Sequence, residues 1–276
     1  MSSNQASFDE ERPANGAHRV TFSLAVGFIS WFLIWRDRIM RWTKCGRVPA
    51  GVGEHASRHS IFSGANVLDA VFVEPVSLPS RAAVLLCHGI GETVEQWFGV
   101  QQFLAAHGVA SLVFDYSGYG RSTGRPAWEQ FERDAIAAFN KLENLAPEVP
   151  LAVLGFSLGS GVATATMHRV AARRLILCEA FTSFRHAAAA GRIPRAFAGL
   201  IPPIWHAQAR LAQCKLPVLI VHGERDRLFP VTMAHELASW CESRAEVALI
   251  PNTTHNQPFR KPHVSYWGPI IEWLCG

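Results

Sequence analysis

The chain has 276 residues, of which 49% are apolar and 17% charged, and a formal net charge of +4. That composition excludes a disordered chain and supplies a full hydrophobic core for one large domain or two small ones. The mild basicity gives no argument for a nucleic-acid partner.

Residues 1–19 are polar and are expected to form a disordered tail. Residues 20–35 carry no charge, and Arg36, Arg38, Arg41, Lys44 and Arg47 follow. Residues 20–47 therefore read as an apolar helix with a basic flank. At about 24 Å the uncharged part falls short of a comfortable bilayer span. The acidic tail before it and the missing cleavage site argue against a secretory leader. A membrane anchor, with Trp31, Trp35 and Trp42 at interfacial positions, and a helix packed on its own domain both fit.

From residue 58 to residue 276 strand and helix signals alternate. Strands are expected at 67–73, 82–87, 109–114, 151–154, 175–178, 218–221 and 245–250. Helices are expected at 94–106, 128–145, 158–172, 232–240 and 266–274. Strands that are apolar throughout and separated by helices imply an α/β fold, a mostly parallel sheet covered on both faces. Residues 184–215 break the rhythm and read as a small helical lid inserted over the sheet. The cysteines (Cys45, Cys87, Cys178, Cys214, Cys241 and Cys275) show neither a CxxC pair nor a Cys/His metal spacing, so they read as reduced thiols of an intracellular protein.

One motif carries chemistry. The strand at 151–154 runs into Gly155-Phe156-Ser157-Leu158-Gly159, and a helix follows. G-x-S-x-G between strand and helix sets a serine on a strained turn, exposed at the sheet edge and at the positive end of a helix. A serine nucleophile needs a base and an orienting acid, in the chain order serine, acid, histidine. Asp226, in the loop after strand 218–221, is the expected acid, with Glu224 and Glu179 as rivals. His255, after the last strand, is the expected base, with His263 as rival. The oxyanion donors would be the N–H of Leu158 and that of Ile90, with Gly91 as the alternative to Ile90. His88 reads as a brace for that loop. His55 and His59 lack the setting of a zinc site and read as solvated loop residues. No metal and no cofactor are expected.

These segments together (HGIG at 88–91, DYSGYGRSTG at 115–124, GFSLGS at 155–160, AFTS at 180–183, HGERD at 222–226 and TTHN at 253–256) resemble the α/β-hydrolase superfamily. The resemblance covers roughly residues 60–276. It is closest to small-lid members, which include esterases, monoacylglycerol and lysophospholipid lipases and acyl-protein thioesterases, some of them membrane-associated. Where such proteins often carry proline before the F-T-S segment, this chain has Ala180. The resemblance implies a serine hydrolase acting on an ester or thioester, without cofactor. An acyltransferase or small-peptide hydrolase using the same residues, and a non-catalytic tethered scaffold, are the alternatives. Trp97, Phe98, Phe156, Phe181, Trp205 and Phe229 lie near the relevant loops in sequence, and several of them are expected to line an apolar pocket. Arg185, Arg192, Arg195 and Arg210 make the insertion basic, which suits either solvent or membrane lipid.

Overall fold

The computed structural model describes residues 55–76, 79–190, 204–241 and 244–276. The tail and apolar helix expected over residues 1–47 lie outside them, as do the central residues of the expected lid. In chain order the elements begin with β1 (Ala56–Ser63), β2 (Asn66–Val73), β3 (Ala82–Cys87), α1 (Val94–Ala106), β4 (Val109–Phe114), α2 (Trp128–Leu145), β5 (Leu151–Phe156) and α3 (Leu158–Thr166). There follow β6 (Arg174–Cys178), α4 (Phe184–Ala190), α5 (Ala207–Ala212), β7 (Val218–Gly223), α6 (Val231–Trp240), β8 (Ala245–Ile250), α7 (Gln257–Arg260) and α8 (Val264–Cys275).

The strands form one eight-stranded sheet in the order β1-β2-β4-β3-β5-β6-β7-β8. β2 runs antiparallel to both β1 and β4, and the remaining pairs are parallel. Every residue of β3, β4, β5 and β7 is buried. Such strands need cover on both faces, and their period of two divides the core accordingly. Leu85, Val153 and Leu177 point to the side covered by Phe131, Phe139 and Leu142 of α2, Val162 of α3 and Leu237 of α6. Val84, Leu86, Leu154 and Ile176 point to the other side, against Trp97, Val100 and Leu104 of α1 and Trp267, Ile270 and Leu274 of α8.

Two expectations change. β1 was expected as loop. Its sequence buries only Ile61 and Ser63, and it exists because all eight of its residues pair with β2. His59 is thus a strand residue, with its Nε2 2.8 Å from the Ser57 hydroxyl. The helix expected over 158–172 ends at Thr166 and passes into a short 3-10 turn, Met167–Arg169. The chain needs the residues after that turn to re-enter the sheet at Arg174. Among the described residues Cys87, Cys178, Cys214, Cys241 and Cys275 are free thiols. No helix among them is long and apolar enough to cross a membrane.

Candidate active site

Parallel strands bring their carboxyl ends to one edge, and that is where the loops after β3, β5, β6, β7 and β8 meet. β5 turns into α3 within a single residue. Ser157 takes φ +51° and ψ −116°, outside the regions ordinary side chains prefer. The strain is held from both sides. The Ser157 N–H donates to the Cys178 carbonyl at 3.0 Å, and its own carbonyl accepts the Ser160 N–H at 2.9 Å and the Ser160 hydroxyl at 2.6 Å. The flanking glycines follow from space. A Cβ at Gly159 would overlap the Cys87 carbonyl, and one at Gly155 would overlap the backbone of Gly159.

His255 lies in the loop after β8 and stands between the serine and the acid. Its Nε2 is 3.0 Å from the Ser157 hydroxyl oxygen, and its Nδ1 is 2.7 Å from Asp226 Oδ2. The ring is wedged between Phe229, 5.1 Å away edge-on, and Phe156, 5.5 Å away. Asp226 is pinned in turn, since its Oδ1 accepts the N–H of Leu228 at 2.7 Å and of Phe229 at 3.0 Å. Burial pushes the Asp226 carboxyl up, but the hydrogen bond and charge of His255, with the Phe229 N–H, outweigh it and hold the group below its ordinary value. The structure thus brings Ser157, His255 and Asp226 into one hydrogen-bonded line. Glu179 lies beside this line without touching His255, and His263 caps α8 instead, accepting the Ser265 N–H.

The loop after β3 folds around a buried carboxylate that sequence reasoning did not single out. Glu92 Oε2 accepts the Gly89 N–H at 2.7 Å and the Trp97 indole N–H at 2.8 Å. Burial raises its carboxyl against the pull of His88, Trp97, Gly89 and His255. Gly91 adopts φ +74°. The Leu158 N–H lies in the first turn of α3, where no intrahelical acceptor exists. His88 donates from Nδ1 to the Gly89 carbonyl, which fits its role as a brace. Replacing Glu92 by alanine frees the Gly89 and Trp97 donors and loosens the loop. The expected result is a roughly 100-fold loss of kcat on any ester the protein turns over, with KM less affected, in a variant whose circular dichroism is unchanged.

The expected pocket residues separate. Trp97 and Phe156 have no exposed surface and form part of the core beneath His255, with ring centroids 5.4 Å apart. They support the site and do not face a ligand, because the alternation of β5 turns Phe156 toward α1. Phe181 packs on Phe229, and Trp205 packs on Trp128 and Phe184 while its indole donates to Glu132. Trp205 also closes against Gly161, where a Cβ would strike its ring. A cavity of about 430 Å³ lies among Thr182, Phe184, His186, Trp205, Glu236 and Trp240. Ser157, Asp226 and His255 are not among its lining residues. Arg210 donates to the Ala165 carbonyl, and Arg192 and Arg195 lie outside the described residues.

Among the described residues, one group has the composition of a metal site: Glu179, His222 and Asp226. His222 Nε2 lies 2.9 Å from the Phe229 carbonyl and donates to it, so that nitrogen offers no lone pair.

An eight-stranded sheet of this order, with a serine on the strained turn after β5 and acid and histidine after β7 and β8, defines the α/β-hydrolase fold. The family model of the serine aminopeptidases (S33) matches residues 79–207. An uncharacterized protein of Mycobacterium tuberculosis is 29% identical over 183 residues, 65% of this chain and 64% of that protein. The lysophosphatidylserine lipase of Macaca fascicularis is 29% identical over 191 residues, 62% of this chain and 48% of that lipase. The match thus spans about half to two thirds of the length of these curated relatives. An esterase of Pyrococcus furiosus superposes with a TM-score of 0.68 at 19% identity, covering 84% of this chain and 98% of the esterase.

Proposed function

We propose that the protein is a serine hydrolase that cleaves a carboxylic ester or thioester of an apolar acyl group through an acyl-enzyme. The observation that carries this reading is His255, placed within hydrogen-bonding distance of both the Ser157 hydroxyl and the Asp226 carboxylate. In this reading His255 takes the Ser157 proton as the serine oxygen attacks the acyl carbonyl. Asp226 keeps the imidazole in the tautomer that accepts at Nε2 and stabilises the imidazolium once formed. The Leu158 and Ile90 N–H groups receive the oxyanion, aided by the N-terminus of α3. His255 then returns the proton to the leaving alcohol or thiol, and water releases the acyl group by the same route.

The lysophosphatidylserine lipase among the relatives supports a lipid ester as substrate. The S33 match favours a second reading, an aminopeptidase. Such an enzyme must hold the ammonium group of its substrate with an exposed anion. Besides Asp226, the carboxyls at this strand edge include Glu92 and Glu179, both buried and raised toward their neutral forms, and Glu224, which is exposed. Glu224 is the anion that the aminopeptidase reading would use.

A substrate panel tests the choice: p-nitrophenyl esters from acetyl to palmitoyl, a monoacylglycerol, a lysophospholipid and an aminoacyl p-nitroanilide. The lipid esters are expected to be cleaved at least about 100-fold faster than the anilide. Anilide cleavage at equal or higher kcat/KM replaces the ester reading with the peptidase one.

A further inference from the structure

Behind the Asp226–His255 pair lies a second acid. Glu179 ends β6, and its backbone sits at φ +45°, a left-handed conformation that a glutamate adopts only when its surroundings enforce it. Here the enforcing contacts are the Glu179 N–H donating to the Val221 carbonyl at 3.0 Å and the Gly223 N–H donating to Glu179 Oε1 at 2.9 Å. Together they turn a fully buried carboxyl toward the site. Glu179, His222 and Asp226 each place one polar atom within 4.8 Å of the others. His222 Nε2 is 3.6 Å from Asp226 Oδ2 and 3.8 Å from Glu179 Oε2.

Two carboxyls this close, both out of water, do not both carry charge. The partners decide which holds the proton. Asp226 has the His255 ring and two backbone donors, whereas Glu179 has one backbone donor at Oε1 and, besides it, only the neutral Tyr266 hydroxyl. The other groups facing Glu179 bring no cation to it. Burial pushes His222 of β7 down toward its neutral form, and it pushes Cys178 of β6 and Tyr266 of α8 up, so both stay protonated.

We propose that Glu179 is a positioning residue of the hydrolase site, a protonated carboxyl that donates to the Asp226 carboxylate and so holds it against His255. This deepens the serine-hydrolase reading and rests on it. A proton on Glu179 directed at Asp226 also favours the ionised form of Asp226 under burial. Burial and the neighbouring Asp226 raise the Glu179 carboxyl to about 9, so its proton is lost only at alkaline pH. Ionisation there sets two like charges side by side and removes the donor.

The experiment is kcat and KM against pH, from about pH 6 to about pH 10, for wild type, Glu179→Gln, Glu179→Ala and Ser157→Ala. Wild-type kcat is expected to fall roughly ten-fold as Glu179 ionises. Glu179→Gln keeps a donor without an ionisable proton, so it is expected to lose about three-fold at neutral pH and to lack this alkaline fall. Glu179→Ala removes the donor, with a kcat loss of about 10- to 100-fold and little change in KM. A Glu179→Gln variant as inactive as Asp226→Asn would overturn the proposal, because Glu179 would then be needed as an anion. So would an alkaline fall that persists unchanged in Glu179→Gln. Failure of the hydrolase reading shows differently, as Ser157→Ala retaining the wild-type rate. Infrared difference spectroscopy gives a readout independent of turnover. A carboxylic-acid carbonyl band at neutral pH, absent in Glu179→Gln, is expected, and its absence from wild type contradicts the proposal.

Discussion

Replacing Ser157 by alanine is expected to abolish labelling by a fluorophosphonate probe and to lower kcat on esters by about a million-fold. The substitution deletes one oxygen and is sterically mild. Alanine is tolerated by the space around the side chain, and the backbone bonds that hold the turn (Ser157 N–H to Cys178 and Ser160 N–H to Ser157) remain. The loss is therefore chemical. In the proposed mechanism oxyanion stabilisation and substrate binding survive, which by themselves accelerate such hydrolysis roughly 1,000-fold or more over water. Mass spectrometry of the labelled wild type locates the adduct, and an adduct on any residue other than Ser157 sinks the assignment.

Asp226→Asn is expected to cost about 10,000-fold in kcat with the fold preserved. The reason is a tautomer. A carboxylate accepts from His255 Nδ1 and so leaves Nε2 free to accept the serine proton. An asparagine can turn its NH₂ toward Nδ1, and the proton then sits on Nε2, where it faces Ser157 and blocks attack. The same pair gives a pH signature in stability. The Asp226 carboxyl is held below its unfolded value, so its contribution is fully present above that value and is lost as pH falls through the folded one. Acid unfolding followed by circular dichroism is expected to begin at higher pH in His255→Ala than in wild type, because removing the histidine removes the main interaction that favours the ionised carboxyl.

Much of the sheet was legible in advance. Strands 82–87, 109–114 and 245–250 and helices 94–106 and 128–145 coincide with β3, β4, β8, α1 and α2 to the residue. These are the segments where hydrophobic period and a glycine or proline boundary agree, so local preference and tertiary packing ask for the same conformation. β1 was missed because its residues alternate mostly polar groups, and a strand of that kind exists only through the partner it pairs with. α3 was read too long because its small residues carry no strong stop signal before Arg173.

The order serine, acid, histidine along the chain was also readable, because each residue follows a recognisable strand and the turn at Gly155–Gly159 has a demanding geometry. That these three side chains stand 2.7 and 3.0 Å apart belongs to the tertiary structure. So do the places of the aromatic residues. Trp97 and Phe156 lie close to the active loops in sequence yet are core, since the pleat of β5 and the facing helix α1 decide which way a ring points. Glu92 is the clearest case: it is one acidic residue in a loop after a strand, like many that are solvated, and no local pattern marks it. Glu179 was legible as a rival acid because it follows a strand, but its burial beside Asp226 was not. Sequence alone determined strands β2 to β8 and which residues their ends carry, because backbone preference and burial act over a few neighbours. Only the assembled sheet decided which carboxyls lose their water, because desolvation and like-charge repulsion depend on what the rest of the chain packs around them.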